Sequence, residues 1–227
     1  MSNTTYPYAG WSWFIAILFS IAGSAPAVQA GENLIQKHPE TIAVLHMLYG
    51  GEIRATRRFK AFAKTAVDEG HLNIAYMFKA IAASEAIHAR NFKNILTTFG
   101  ITVANIDSSS IKSTTTKENL QYASEIELSE IDVEYPRYIQ RISPERHQEA
   151  LKYINYAWEA ERQHRELIKE IQGGTGIFFG VLLERFRDKS NKYYVCQHCG
   201  ATVTELPPEA CPICYKPLDI YLEITKP

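Results

Sequence analysis

The sequence predicts a mainly α-helical chain: a four-helix bundle with one long crossover, followed by a small unit organised by four cysteines. Three observations carry this reading. Apolar residues recur at helical spacing along four segments. The phrase Glu-x-x-His occurs twice inside those stripes, as Glu85-Ala86-Ile87-His88 and Glu161-Arg162-Gln163-His164. All four cysteines fall between Cys196 and Cys214, so they form one local site and cannot staple the main domain.

The first helix is expected over 39–64, where Ile42, Leu45, Leu48, Tyr49, Ala55, Phe59 and Phe62 form the stripe and Glu52 sits within it. Asp68-Glu69-Gly70 breaks the pattern. A second helix runs from about His71 to Phe99 with Glu85 and His88 in its apolar face, and Gly100 is placed to cap its end. Residues 101–116 are rich in Ser, Thr and β-branched residues without a helical stripe, which suits a crossover between bundle halves. A third helix is expected from about Lys117 to Arg141, carrying Glu127 and Glu130. Ser143 as cap and Pro144 at the first position predict the start of a fourth helix, which continues to about Ile171 with Glu161 and His164 in its stripe. The chain thus divides into 1–30, a bundle over 38–172, a linker over 173–192, and a cysteine unit over 193–227.

Residues 1–30 lie outside the fold. Trp11 to Ala22 is apolar, and Val28-Gln29-Ala30 resembles a small-residue cleavage site, so an export signal is expected. Residues 1–10 contain no Lys or Arg, which leaves an uncleaved anchor with membrane contact through residues 11–25 as the rival. Its apolar run is short against the about 20 residues of a spanning helix, and Pro26 interrupts it. The expected compartment is therefore exported, periplasmic or membrane-anchored, with the cytoplasm as the alternative. A net charge of -1 with 22% charged residues gives no basis for nucleic-acid binding.

A Glu and a His three residues apart lie on one helical face and reach one point in a bundle core. Two such segments, with a Glu from each of two further helices, make the ligand set of a two-metal carboxylate site. Taken singly, a Glu in an apolar stripe is most often a boundary residue whose head reaches solvent. Five carboxylates on core-facing positions (Glu52, Glu85, Glu127, Glu130 and Glu161) are another matter, because each would be costly if buried unpaired. Two divalent ions nearly balance their charge, and His88 and His164 complete the set. An oxygen-rich set with one imidazole per metal favours iron or manganese over structural zinc or copper. His38, His46, His71, His147 and His198 lack such spacing and are expected at the surface or at helix caps.

Cys196-Gln197-His198-Cys199 and Cys211-Pro212-Ile213-Cys214 form two Cys-x-x-Cys knuckles. Four thiolates so spaced make a tetrahedral sulfur cage for iron or zinc. Tyr193 and Tyr194 before the first knuckle, and Pro212 inside the second, favour iron.

Together, Glu52, Glu85-x-x-His88, Glu127-x-x-Glu130 with Tyr135-Pro136, Glu161-x-x-His164 and the two knuckles resemble the rubrerythrin family over about residues 38–222. The resemblance implies a ferritin-like di-iron bundle joined to a rubredoxin-like domain, and a peroxidase that reduces hydrogen peroxide to water. It implies non-haem iron or manganese on Glu52, Glu85, His88, Glu127, Glu130, Glu161 and His164, with Tyr135 supporting the reaction. Iron, with zinc as the structural alternative, would sit on Cys196, Cys199, Cys211 and Cys214, and the iron would relay electrons from a donor protein, in the family usually across a head-to-tail dimer. One iron is implied to move between a His and a Glu ligand, assigned by the resemblance to His88 and Glu127. The chain departs from the family at Phe59, where a Tyr often stands, at Tyr215, where a Gly commonly follows the last Cys, and in its apolar N-terminus. Two rival readings remain: a ferroxidase that hands iron onward, and a non-catalytic adaptor with structural bundle metals and a zinc knuckle.

Overall fold

The computed structural model describes Met1 and residues 35–104, 106–107, 111–172 and 192–227. The signal or anchor reading of residues 1–30 and nearly all of the linker fall outside these. Among the described residues no helix is long and apolar enough to cross a membrane.

Helix α1 (Pro39–Asp68) opens with Pro39 at its first position, where a missing N–H is harmless. Its free amides are capped from afar: the Glu145 carboxylate accepts from the amides of Glu40 and Thr41, both at 2.8 Å. Helix α2 (Leu72–Thr98) pairs with it along most of its length and ends at Gly100, whose φ of +75° lets the chain leave the helix as expected. The crossover then runs back along α1, tied by Ile106 to Arg57 and by Ser113 to Thr65. Thr115 and Glu118 form a reciprocal capping box at the start of α3 (Thr116–Ser129).

The expected third helix is not continuous. A π-helical turn, Glu130–Glu134, separates α3 from α4 (Tyr135–Ile142). Pro136 is the local cause: it has no N–H to donate and its ring would strike the carbonyl one α-turn back. A wider turn relieves that conflict, and the Tyr135 amide bonds instead to the Glu130 carbonyl. The Trp158 indole donates to the Ile131 carbonyl at 2.9 Å and holds the turn against the last helix.

The fourth helix also begins later than expected. Ser143–Glu145 is a 3₁₀ turn, Ser143 donates back to Ile139, and Arg146 adopts a left-handed φ of 52°. Helix α5 (Gln148–Gln172) starts beyond it, with His147 Nδ1 accepting from the Ala150 amide. The Ser-Pro-Glu signal thus marks a turn whose glutamate caps α1 rather than its own helix.

Three short antiparallel strands, β1 (Tyr194–Cys196), β2 (Thr202–Val203) and β3 (Tyr221–Glu223), form a sheet in the order β2-β1-β3. This unit does not stand apart from the bundle. Tyr193, Val195 and Ile224 share one apolar core with Phe59, Phe62 and Phe78. Tyr193 meets Tyr76 edge to face at 4.9 Å, and the Tyr76 hydroxyl donates to the Ile224 carbonyl.

Candidate metal centre

Four helices deliver six of the seven predicted bundle ligands to one point, and Glu130 of the π-turn is in neither of the groups they form. Glu52 comes from α1, Glu85 and His88 from α2, Glu127 from α3, and Glu161 and His164 from α5. Glu52 is 6% exposed and the other five at most 2%. Two overlapping groups form: Glu52, Glu85, His88 and Glu161, and Glu85, Glu127, Glu161 and His164. Glu85 and Glu161 belong to both, which is the geometry of carboxylates shared between two ions. His88 Nδ1 lies 3.1 Å from Glu85 and 3.3 Å from Glu161, while His164 Nδ1 lies 2.9 Å from Glu161 and 3.4 Å from Glu85.

The pairing corrects one assignment drawn from the resemblance. Glu127 groups with His164, its oxygen 3.9 Å from that Nδ1, and not with His88. The additional carboxylate is Glu130, half-buried at the start of the π-turn, where it lines a cavity together with Glu52. It therefore stands on the Glu52 and His88 side. The predicted Tyr135 is also in place, its hydroxyl donating to Glu52 Oε1 at 2.8 Å.

The electrostatics show that this set fits metal ions. Burial, and then the neighbouring carboxylates, push Glu52, Glu127 and Glu130 well above the usual carboxylate range. Burial alone would do the same to Glu161, but the charges of His164 and His88 reverse it and hold this group far down. His164 rises to about 9: burial opposes its charge, and Glu161 and Glu85 more than offset that. Glu127 Oε2 is buried with no hydrogen-bond partner among the described residues, an acceptor that a cation would satisfy. Divalent ions would resolve all these conflicts at once.

The cysteine unit orients both imidazoles. His88 Nε2 faces the Cys199 carbonyl at 3.2 Å, and a carbonyl only accepts, so Nε2 carries the proton. Thr202 spends its own hydroxyl proton on the Gly200 carbonyl at 3.0 Å and so accepts from His164 Nε2 at 3.3 Å. Both Nδ1 atoms are thereby turned toward the carboxylates. Four consecutive carbonyls, Gln197 to Gly200, accept from Arg90, Asn91, His88 and Ser84 on α2. Gly200, with φ +85°, is required here twice over: a Cβ would overlap His88 Nε2 and lie 2.8 Å from both His88 Cδ2 and Ser84 Oγ.

The four cysteines are buried and unbonded, with Sγ pairs at 3.5 Å (Cys199–Cys211) and 3.7 Å (Cys196–Cys214). A disulfide needs about 2.05 Å, whereas a tetrahedral cage with about 2.3 Å metal–sulfur bonds has edges of about 3.8 Å. These thiolates are spaced for a metal.

Other histidines divide between the expected roles and new ones. His147 caps α5, and His46 is exposed. His38, expected at the surface, is only 6% exposed, packed against Phe99 and His147. His198 packs against Tyr153 and Tyr156 of α5 and helps seat the cysteine unit.

Fold and site define a ferritin-like bundle with a two-metal carboxylate centre, joined to a four-thiolate metal site. Comparisons with known proteins make this specific. The family model described as Rubrerythrin matches residues 44–172, and the chain belongs to the rubrerythrin family. It is 34% identical over 178 residues to Rubrerythrin-2 of Clostridium acetobutylicum, covering 78% of this chain and 93% of that one. Nigerythrin of Nitratidesulfovibrio vulgaris is 27% identical over 188 residues, covering 80% and 85%. The solved structure of fully reduced, all-ferrous nigerythrin superposes with a TM-score of 0.67 at 26% identity, covering 81% of this chain and 86% of that one.

Proposed function

We propose that the chain is a peroxidase that reduces hydrogen peroxide to water. The observation that carries this reading is the hydrogen bond from His88 to the Cys199 carbonyl, which joins the two ligand sets through one contact. A bundle that only stored or oxidised iron would have no use for a thiolate site bonded to its own ligand. Iron in both sites would supply the electrons, two per peroxide, that cleave the O–O bond.

The chain's own groups provide the rest. Glu52, Glu130 and Tyr135 open on a cavity that admits the substrate. Burial, and then the charge of Glu52, keep Tyr135 well above the usual phenol range, so its hydroxyl holds a proton on Glu52 Oε1 at neutral pH. Glu130 and Glu52 are the carboxylates from which the departing oxygen can take protons. The electrons come from a one-electron carrier protein.

Replacing Glu127 by Ala should abolish peroxide reduction while circular dichroism still reports a helical bundle. Undiminished turnover in that variant would overturn the assigned site. The ferroxidase reading is separated by comparing peroxide with oxygen as oxidant, with and without excess Fe(II). A peroxidase consumes peroxide catalytically without added Fe(II).

A further inference from the structure

The cavity that ends on Glu52, Glu130 and Tyr135 has a volume of about 540 Å³. Hydrogen peroxide needs little more room than a water molecule, whose share of the liquid is about 30 Å³. The space lies instead within the range of pockets for small organic ligands, roughly 300–1,000 Å³. Its walls are mixed: Met47, Leu48, Ile126 and Tyr138 form an apolar side, Arg54, Arg58, Glu125 and Glu134 a charged one, and Gly51 adds no side chain between them. A Cβ at Gly51 would meet nothing within 4 Å. Gly is unfavourable in a helix interior against Ala, and among the described residues no close packing explains it here. Arg58 is half-buried, stacked over Tyr122 at 5.4 Å, and its charge reaches Glu130. A half-buried cation thus stands beside the apolar wall of a chamber of mixed lining that reaches Glu52 and Glu130.

We propose that this cavity holds the organic half of an alkyl or aryl hydroperoxide, giving the centre a second substrate class. The inference rests on the peroxidase reading and extends it. The reaction is ROOH with two electrons and two protons to ROH and water. The O–O bond breaks, each oxygen ends protonated, and the electrons arrive singly from the carrier protein. Met47, Leu48 and Tyr138 hold the R group, and Arg58 offers N–H donors to the oxygen that becomes the alcohol. Gly51 sets the size limit.

The test uses the full metal-loaded chain with cumene hydroperoxide and hydrogen peroxide as paired substrates. Both should be reduced, and in Gly51→Leu the rate ratio of cumene hydroperoxide to hydrogen peroxide should fall at least tenfold. A second readout needs no turnover. The unreactive product 2-phenyl-2-propanol should bind saturably by ligand-observed NMR, with or without metal, and at least tenfold more weakly in Gly51→Leu. If that variant fails to fold, Met47→Trp narrows the same cavity from its exposed rim and should shift both readouts the same way. Reduction of hydrogen peroxide alone, or an unchanged rate ratio with either folded variant, overturns the inference and leaves the peroxidase reading intact. Reduction of neither peroxide overturns both.

Discussion

The bundle centre and the cysteine site bind metal by opposite constructions. The four thiolates come from residues 196–214, and their positions follow from two tight knuckles. The Cys196 and Cys211 carbonyls accept from the Gly200 and Tyr215 amides, each at 2.9 Å, so each knuckle is folded by its own backbone. The bundle ligands come from residues 52–164, on elements brought together only by packing. Their carboxylates are in conflict with their burial until cations enter. One site is local geometry; the other is tertiary structure holding charge in place. Yet they are not independent, because the local site supplies the Cys199 carbonyl and Thr202 hydroxyl that orient the bundle's histidines.

Removing a shared carboxylate tests this contrast most severely. Glu161→Ala takes a ligand from both bundle groups and should eliminate both bundle metals while one metal per chain stays on the cysteines. Metal analysis of the purified variant checks it, and loss of the cysteine metal as well would erase the distinction. Gly200→Ala should separate the sites at their contact. The added methyl collides with His88 and Ser84, and loss of the outer hydrogen bond should weaken bundle metal binding by about 10–100-fold. The absorption of the cysteine site should persist.

A pH titration yields a smaller, graded effect. His164 is raised to about 9 in the metal-free chain, so below that pH Nδ1 carries a proton that a metal must displace. Bundle affinity should therefore fall as pH drops below about 9, by up to about tenfold per unit from this group alone. Calorimetry in buffers of different ionisation enthalpy should detect the released proton. The smallest effect is local to the second knuckle. Tyr215 adopts φ +58°, a left-handed conformation that costs a side-chain-bearing residue about 1–2 kcal/mol. Tyr215→Gly should stabilise the cysteine unit by about that much, read as a higher melting temperature with unchanged bundle metal content.

Much of this was legible in the sequence. The helical stripes, the crossover, Gly100 and the six candidate ligands that cluster in the bundle follow from periodicity and spacing, and the knuckles from the Cys-x-x-Cys pairs. Other features carry local signals that compete with the helical pattern. Thr115-x-x-Glu118 spells a capping box, Pro136 inside a helical stripe marks the π-turn, and Ser143-Pro144 imitates a helix start while Glu145 serves α1. The division of Glu127 and Glu130 between the two histidines had no such signal. Both glutamates share a face in an ideal helix, and the partition depends on how α3 and the π-turn sit against α5.

By itself, the sequence determined which residues are candidate metal ligands and which segments carry them, because helical period, knuckle spacing and turn chemistry act over a few residues. Tertiary structure alone decided the rest. It set the carbonyl of Cys199 against His88, paired Glu127 with His164, and left an organic-sized cavity above Glu52 beside Gly51. These relations join residues that are distant along the chain, and only the burial of shared apolar faces brings them within a hydrogen bond of each other.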